Sequence, residues 1–271
     1  MFGVLQDAKL GKYICVEGGE TYLVRLDDDG VGREVFSTFG FDFDKFEQAM
    51  EILKRSRGVN FLDLLVDVGA NIGTIAIPAV RRGFANCAVA IEPEKTNFAL
   101  LSCNLILNEV VSRVSAVRCA VGNAVADVEL ETNPKNSGDH RIRVSINLDS
   151  SGDINRTFES VPMKSLGDIL DMSGATVTSQ SLVWMDIQGF EVAALEGFKK
   201  RLAECPALVM EFWPEGIMRA GANFQALLDC VAHYSTFFDL NCPKVGRNIS
   251  DLQTIWNEFA SGSRQTDLMF F

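Results

Sequence analysis

The sequence predicts an α/β fold in which a doubly wound, mostly parallel seven-stranded sheet carries helices on both faces and an N-terminal cap. Three observations predict it. Short apolar runs at 64–68, 88–91, 114–117, 182–187 and 207–212 have the length and composition of strands covered on both sides. Helical patterns at 72–82, 96–107 and 190–202 alternate with these runs, as crossover connections between parallel strands require. The first run ends in Asp67-Val68-Gly69-Ala70-Asn71-Ile72-Gly73, a strand-to-helix turn at the place where open α/β sheets bind their ligands.

Taken in order, residues 1–60 read as the cap and 61–271 as the main domain. Runs at 13–16 and 22–26 flank Glu17-Gly18-Gly19-Glu20, a turn signal, and predict a hairpin. Phe46, Ala49, Met50 and Leu53 fall at helical spacing within 43–57, and Gly58 ends that helix. The alternation of strand and helix breaks between 124 and 162. Extra strands are expected there at 125–131 and 141–146, flanking a polar loop, 132–147, that reads as a lid or substrate loop. A helix is expected at 224–234, and runs at 237–240 and 267–271 supply the last two strands.

Composition narrows the function. With 271 residues, 47% hydrophobic and 23% charged, the chain fits a globular enzyme with a substantial core. Its net charge of −11 repels a phosphate backbone, and Arg81-Arg82, Arg141 with Arg143, and Lys199-Lys200-Arg201 are only small basic clusters. No apolar stretch is long enough to span a bilayer. Asp7 and Lys9 interrupt the N-terminal segment, which does not read as a signal peptide. Seven cysteines without a C-x-x-C pair fit free thiols, so a cytoplasmic protein is expected.

Gly69 and Gly73 have no Cβ to keep a ligand off the main chain, and a helix N-terminus after them offers free N–H groups to a carboxylate. Glu92, followed by Pro93, ends the next strand, where a carboxylate can accept both hydroxyls of a ribose. A dinucleotide site would show G-x-G-x-x-G, but Asn71 stands where the second glycine belongs. A cofactor without pyrophosphate is favoured, with a nicotinamide oxidoreductase as an alternative.

The segment 66–73, then Glu92-Pro93 with Asn104 and Asn108 on the following helix, then Leu166 with Asp168-Ile169-Leu170, then Met185-Asp186-Ile187-Gln188-Gly189-Phe190-Glu191 resembles the FkbM-type methyltransferases, over about residues 60–215. The resemblance implies a class I, Rossmann-like enzyme that uses S-adenosylmethionine to O-methylate a hydroxyl of a small molecule, often a natural product or a sugar. It implies that Asp67, Gly69, Ala70, Asn71 and Gly73 surround the methionine end of the donor. Glu92 and Pro93 would then meet the ribose, and Cys119, Ala120 and Val121 the adenine.

Asp186 ends the strand beside the first and is expected to face the donor's methyl group, as catalytic residue and donor contact. His140, in the polar loop, is the candidate base. Glu191 either opens a helix, where its charge suits the dipole, or touches substrate. Relatives carry lysine where this chain has Met185 and glutamate where it has Gln188, which leaves open a chain that binds the donor without transferring its methyl. Asp186 with Glu211 could instead hold a divalent cation such as magnesium, although no metal is assigned. The expected partner is a small-molecule acceptor, with no nucleic acid and no membrane. An RNA methyltransferase is a further alternative, and the hairpin with the aromatic C-terminus could form a homodimer face.

Overall fold

The computed structural model describes residues 1–7, 12–144, 156–202, 204, 206–261 and 264–271; Cys205 and residues 145–147 of the expected loop lie outside them. The chain begins with α1 (Phe2–Asp7), the hairpin β1 (Tyr13–Glu17) and β2 (Thr21–Arg25), α2 (Val31–Thr38) and α3 (Phe43–Arg57). Helix α3 turns Phe46, Ala49, Met50 and Leu53 inward. It stops at Gly58, whose φ of 69° suits glycine and lets its N–H cap the Leu53 and Lys54 carbonyls. Phe46 meets Phe84 and Trp184 at ring-centroid distances of 5.8 and 6.0 Å, so the cap shares the core beneath the sheet.

Alternating units follow: β3 (Leu62–Val68), α4 (Ala76–Arg81), β4 (Ala85–Ile91), α5 (Lys95–Leu107) and β5 (Val114–Val117). Helix α4 starts four residues later than the pattern predicts. Asn71 (φ 49°) and Gly73 (φ 95°) adopt left-handed backbone, which spends the segment before Ala76 in turns. Next come β6 (Ala120–Gly122), β7 (Ala126–Thr132), β8 (Arg141–Ile142) and β9 (Thr157–Ser165), then α6 (Leu166–Met172) and β10 (Leu182–Met185). The predicted 190–202 helix is two pieces, α7 (Glu191–Glu196) and α8 (Lys199–Leu202), separated at Gly197. The chain ends with β11 (Ala207–Phe212), α9 (Pro214–Arg219), α10 (Phe224–Val231), β12 (Thr236–Asp239), β13 (Arg247–Asn248), a 3₁₀ turn, α11 (Leu252–Ala260) and β14 (Thr266–Phe270).

The main sheet has the order β13-β12-β14-β11-β10-β3-β4-β5 and is eight-stranded, not seven-stranded as predicted. The added strand is β13, two residues on the edge, too short to leave a periodic signal. From β5 to β11 the strands are parallel, and β14 lies antiparallel between β11 and β12. From central β3 the chain winds outward through β4 and β5, then returns to β10 on the other side. That reversal opens a crevice above the carboxyl ends of β3 and β10. A separate four-stranded sheet, β6-β9-β7-β8, stands beside it.

Two asparagines, one on α5 and one capping its C-terminus, pin the hairpin to this framework. Asn104, fully buried, accepts the Leu23 N–H at 2.7 Å and donates to the Ile72 carbonyl at 3.0 Å. Asn108 accepts the Thr21 N–H at 2.9 Å and donates to the Thr21 carbonyl at 2.7 Å. Side-chain amides, each with donor and acceptor, thereby pair the free edge of β2.

Candidate active site

A cavity of about 620 Å³ fills the crevice. At one end, the N–H groups of Gly69 and Ala70 both donate to the Ile91 carbonyl, at 2.9 and 3.0 Å, which ties the turn after β3 to the end of β4. Gly69 has φ 89°, and any Cβ there would run into the Asp186 carbonyl oxygen. The glycine therefore lets two strand ends converge under the cavity floor. Asp67 accepts the Ala76 N–H at 3.1 Å, and burial pushes its pKa up to about 7. Glu92 takes the Asn71 N–H on one oxygen at 2.9 Å and the Glu94 N–H on the other at 2.8 Å. Burial pushes its pKa up to about 8. Each oxygen retains acceptor capacity toward the cavity.

The polar loop is fastened over this end. The Ser137 carbonyl accepts N–H bonds from Asn71 (2.9 Å) and Asn97 (3.1 Å). The Ser137 N–H and hydroxyl donate to Asp28 at 3.0 and 2.6 Å. Asp28 was not anticipated, although its place in Asp27-Asp28-Asp29-Gly30 marks a turn that organises backbone donors.

His140 lines the cavity, but its hydrogen bonding corrects the role expected of it. The Asn133 N–H donates to Nδ1 at 3.1 Å, so Nδ1 is bare and the neutral ring carries its proton on Nε2. Burial lowers the pKa and keeps the ring neutral. Nε2–H is then a donor, without a partner among the described residues, and not a base.

Asp186 stands at the other end. Its N–H continues the β10–β3 ladder to the Val68 carbonyl at 3.0 Å. The Gln188 amide bridges two acids, donating to Asp186 Oδ1 at 2.8 Å and to Glu211 Oε2 at 3.2 Å. Burial raises the Asp186 pKa to about 6 and, with the charges of Asp186 and Glu191, that of Glu211 well above the usual range. Lys45, from α3, reaches this end and pairs with Asp42 at 3.0 Å and Asp267 at 2.8 Å.

Strand alternation settles position 185. Met185 packs into the core on the opposite face of the sheet, 1% exposed, while Trp184 lines the cavity. A charge at 185 would not face the cavity, so its absence does not bear on the chemistry there.

The cavity wall thus brings together Asp67, Gly69, Ala70, Asn71, Glu92, Pro93, Cys119, Ala120, Val121, His140 and Asp186. Gly73 and Glu191 stand outside it. A Cβ on Gly73 would press on Ile77 and Leu101 at 2.6 and 2.9 Å, so that glycine serves packing. Glu191 is fully buried behind the wall and accepts the Ile187 N–H at 3.0 Å and the Gly189 N–H at 3.3 Å, which holds the turn after β10. Of its two expected roles, the structural one fits this position. Among the described residues, no three His, Cys, Asp or Glu side chains group as a metal site.

Against known proteins, residues 67–233 match the model of the methyltransferase FkbM domain. Among curated proteins none matches the chain. Among solved structures, the chain is similar to the methyltransferase FkbM from Methylobacillus flagellatus KT, with 17% identity and a TM-score of 0.42 over 82% of this chain and 48% of that one, so it spans about half that protein's length. It is also similar to the precorrin-6y C5,15-methyltransferase from Geobacter metallireducens GS-15 (11% identity, TM-score 0.40, 83% of this chain and 87% of that one). A third is P. horikoshii TYW2 in complex with MeSAdo (13% identity, TM-score 0.38, 96% and 70%). The family match covers more than half of the residues, and the chain belongs to the methyltransferase FkbM domain family.

Proposed function

We propose that this chain is an S-adenosylmethionine-dependent O-methyltransferase acting on a hydroxyl of a small molecule. The observation that carries the reading is Glu92, buried at the end of β4, clamped by two backbone N–H groups, and facing the same cavity as Asp186. The residues present fit the donor. Gly69 leaves the close approach that a side chain would fill, Glu92 keeps acceptor sites for two ribose hydroxyls, and Cys119, Ala120 and Val121 offer a mostly apolar wall for a base.

When bound, S-adenosylmethionine supplies an electrophilic methyl group on a sulfonium. Asp186 receives the acceptor hydroxyl's proton, and Gln188, bonded to one of its oxygens, holds the carboxylate in place. The fastened 132–140 loop narrows the cavity and holds reactants in contact, from which much of the acceleration in such displacements derives. A small acceptor is supported by the bounded cavity and by a net charge of −11, which disfavours nucleic acid.

Calorimetric titration with S-adenosylmethionine and S-adenosylhomocysteine tests the base of this reading. Saturable heat is expected, and its absence overturns it. Labelled-donor turnover across hydroxylated metabolites tests the transfer itself. Methylation only at nitrogen would replace the O-methyl assignment.

A further inference from the structure

We propose that the Asp186 end of the cavity includes a subsite for an ammonium group, so that the acceptor is an amino alcohol or amino sugar: its protonated amine sits on Glu211 while its hydroxyl faces Asp186. This rests on the methyl-transfer reading of the same cavity and goes beyond it in naming the substrate class.

Charge at this end is unbalanced in one direction. Lys45 pairs with Asp42 and Asp267, and its single charge, which also lowers the pKa of Asp186 and of Glu211, faces four carboxylates at this end. Gln188 donates to both Asp186 and Glu211, but an amide is neutral: it orients the two acids without compensating them. When bound, the donor's sulfonium would supply positive charge toward Asp186, which follows the strand paired with β3. That leaves Glu211.

Glu211 is also weakly held by the protein itself. It is only 5% exposed and lines the cavity, and among the described residues its one side-chain hydrogen bond is the long one from Gln188, 3.2 Å to Oε2. A carboxylate so deeply placed needs a donor, and when ionised it needs a positive charge. A neutral hydroxyl meets the first need only. A phosphate or carboxylate on the acceptor would add like charge. An ammonium meets both with three N–H groups. Lys45 shows that this wall already accommodates one, between Asp42 and Asp267. The bound amine is protonated and has no lone pair, so it anchors the acceptor and the hydroxyl remains the nucleophile.

The test uses protein saturated with S-adenosylhomocysteine and follows the side-chain carboxyl ¹³C resonances, with Glu211 assigned through E211Q. The probes are ethanolamine, ethylene glycol, glycolate and magnesium chloride. Ethanolamine is expected to shift the Glu211 and Asp186 signals saturably, with affinity about tenfold or more above ethylene glycol, as one charge-assisted hydrogen bond implies. E211Q should abolish that preference. No saturable shift with ethanolamine, or equal binding of ethylene glycol or glycolate, overturns the subsite, as does magnesium acting on the same resonances at lower concentration. The probe comparison needs only the natural chain, so it decides the matter even if E211Q does not fold. Failure to bind S-adenosylhomocysteine would sink the methyl-transfer reading instead, which keeps the two failures apart.

Discussion

Replacing Glu92 with alanine removes the side chain through which the end of β4 holds both the turn and the cavity. Its two oxygens take the Asn71 and Glu94 N–H groups at 2.9 and 2.8 Å and keep lone pairs that the proposed reading gives to a ribose. Hydrogen bonds to a charged acceptor contribute about 1.5–3 kcal/mol. Bonds to one carboxylate are not additive, so the same range serves as the whole loss, which corresponds to S-adenosylhomocysteine binding about 12- to 150-fold more weakly. Folding is expected to suffer less. Two N–H groups lose their partner, but a carboxyl that resists ionisation where it sits, with its pKa at about 8, also leaves the interior. Glu92→Gln separates charge from shape, because its amide keeps one acceptor oxygen and opposes one backbone N–H with another donor. It should fall in the same affinity range as alanine. The assay is isothermal calorimetry at pH 9, above the Glu92 pKa of about 8 so that the carboxylate is charged, with near-ultraviolet circular dichroism to establish that each variant is folded. A folded Glu92→Ala protein that binds S-adenosylhomocysteine within about threefold of the natural chain, well short of the loss of a charged hydrogen bond, removes Glu92 from the site.

Asn104→Ala strands the Leu23 N–H and the Ile72 carbonyl in the interior, a loss of about 2–5 kcal/mol that scanning calorimetry should read as a midpoint lower by about 5–15 °C. A drop below about 2 °C would mean that the hairpin is held some other way. Gln188→Glu replaces the bridging amide with a third carboxylate beside Asp186 and Glu211, so denaturant titration should show about 2–4 kcal/mol lost at pH 8 and little at pH 5; equal losses at both would exclude charge as the cause. Asp67, Asp186, Glu191 and Glu92 have folded pKa values of about 7, 6, 7 and 8, all raised by burial above their ordinary values. The native chain therefore holds more protons than the unfolded one across the window from about pH 4.5 to about pH 8, and its stability without ligand must fall as pH rises through it. A thermal midpoint that climbs between pH 5 and pH 8 would refute that accounting.

The end of the cavity proposed for the donor was legible because its information is local. Asp67 to Gly73 is one continuous segment, Glu92 ends the very next strand, and strand, turn and carboxylate each leave a periodic or compositional mark. Helix α3 and strands β5 and β11 were readable to the residue for the same reason, since apolar spacing and a stop signal fix both ends. The start of α4 was not. Asn71 takes φ 49°, and a sequence pattern records which residues are apolar, not which leave the helical basin. The edge strand β13 was invisible because two residues cannot show a period.

The Asp186 end is assembled from segments far apart in the chain, so its charges leave no local mark in the sequence. Lys45 lies on a cap helix whose pattern gives only its buried face, and Asp267 on the last strand. Only the folded sheet brings their Nζ and Oδ2 atoms within 2.8 Å. Parity explains the rest. On β10, Met185 and Trp184 face opposite sides, so a charge missing from 185 is missing from the core, where none belongs. Position 188 is different, because its side chain does reach the site. Glutamate there, as relatives are expected to have, would repel Asp186 and Glu211, whereas the amide binds both. The replacement therefore does more than delete a charge. It lets two carboxylates stand side by side at the end of the cavity proposed for the acceptor, and an acceptor that carries its own positive charge is the partner such a pair would select.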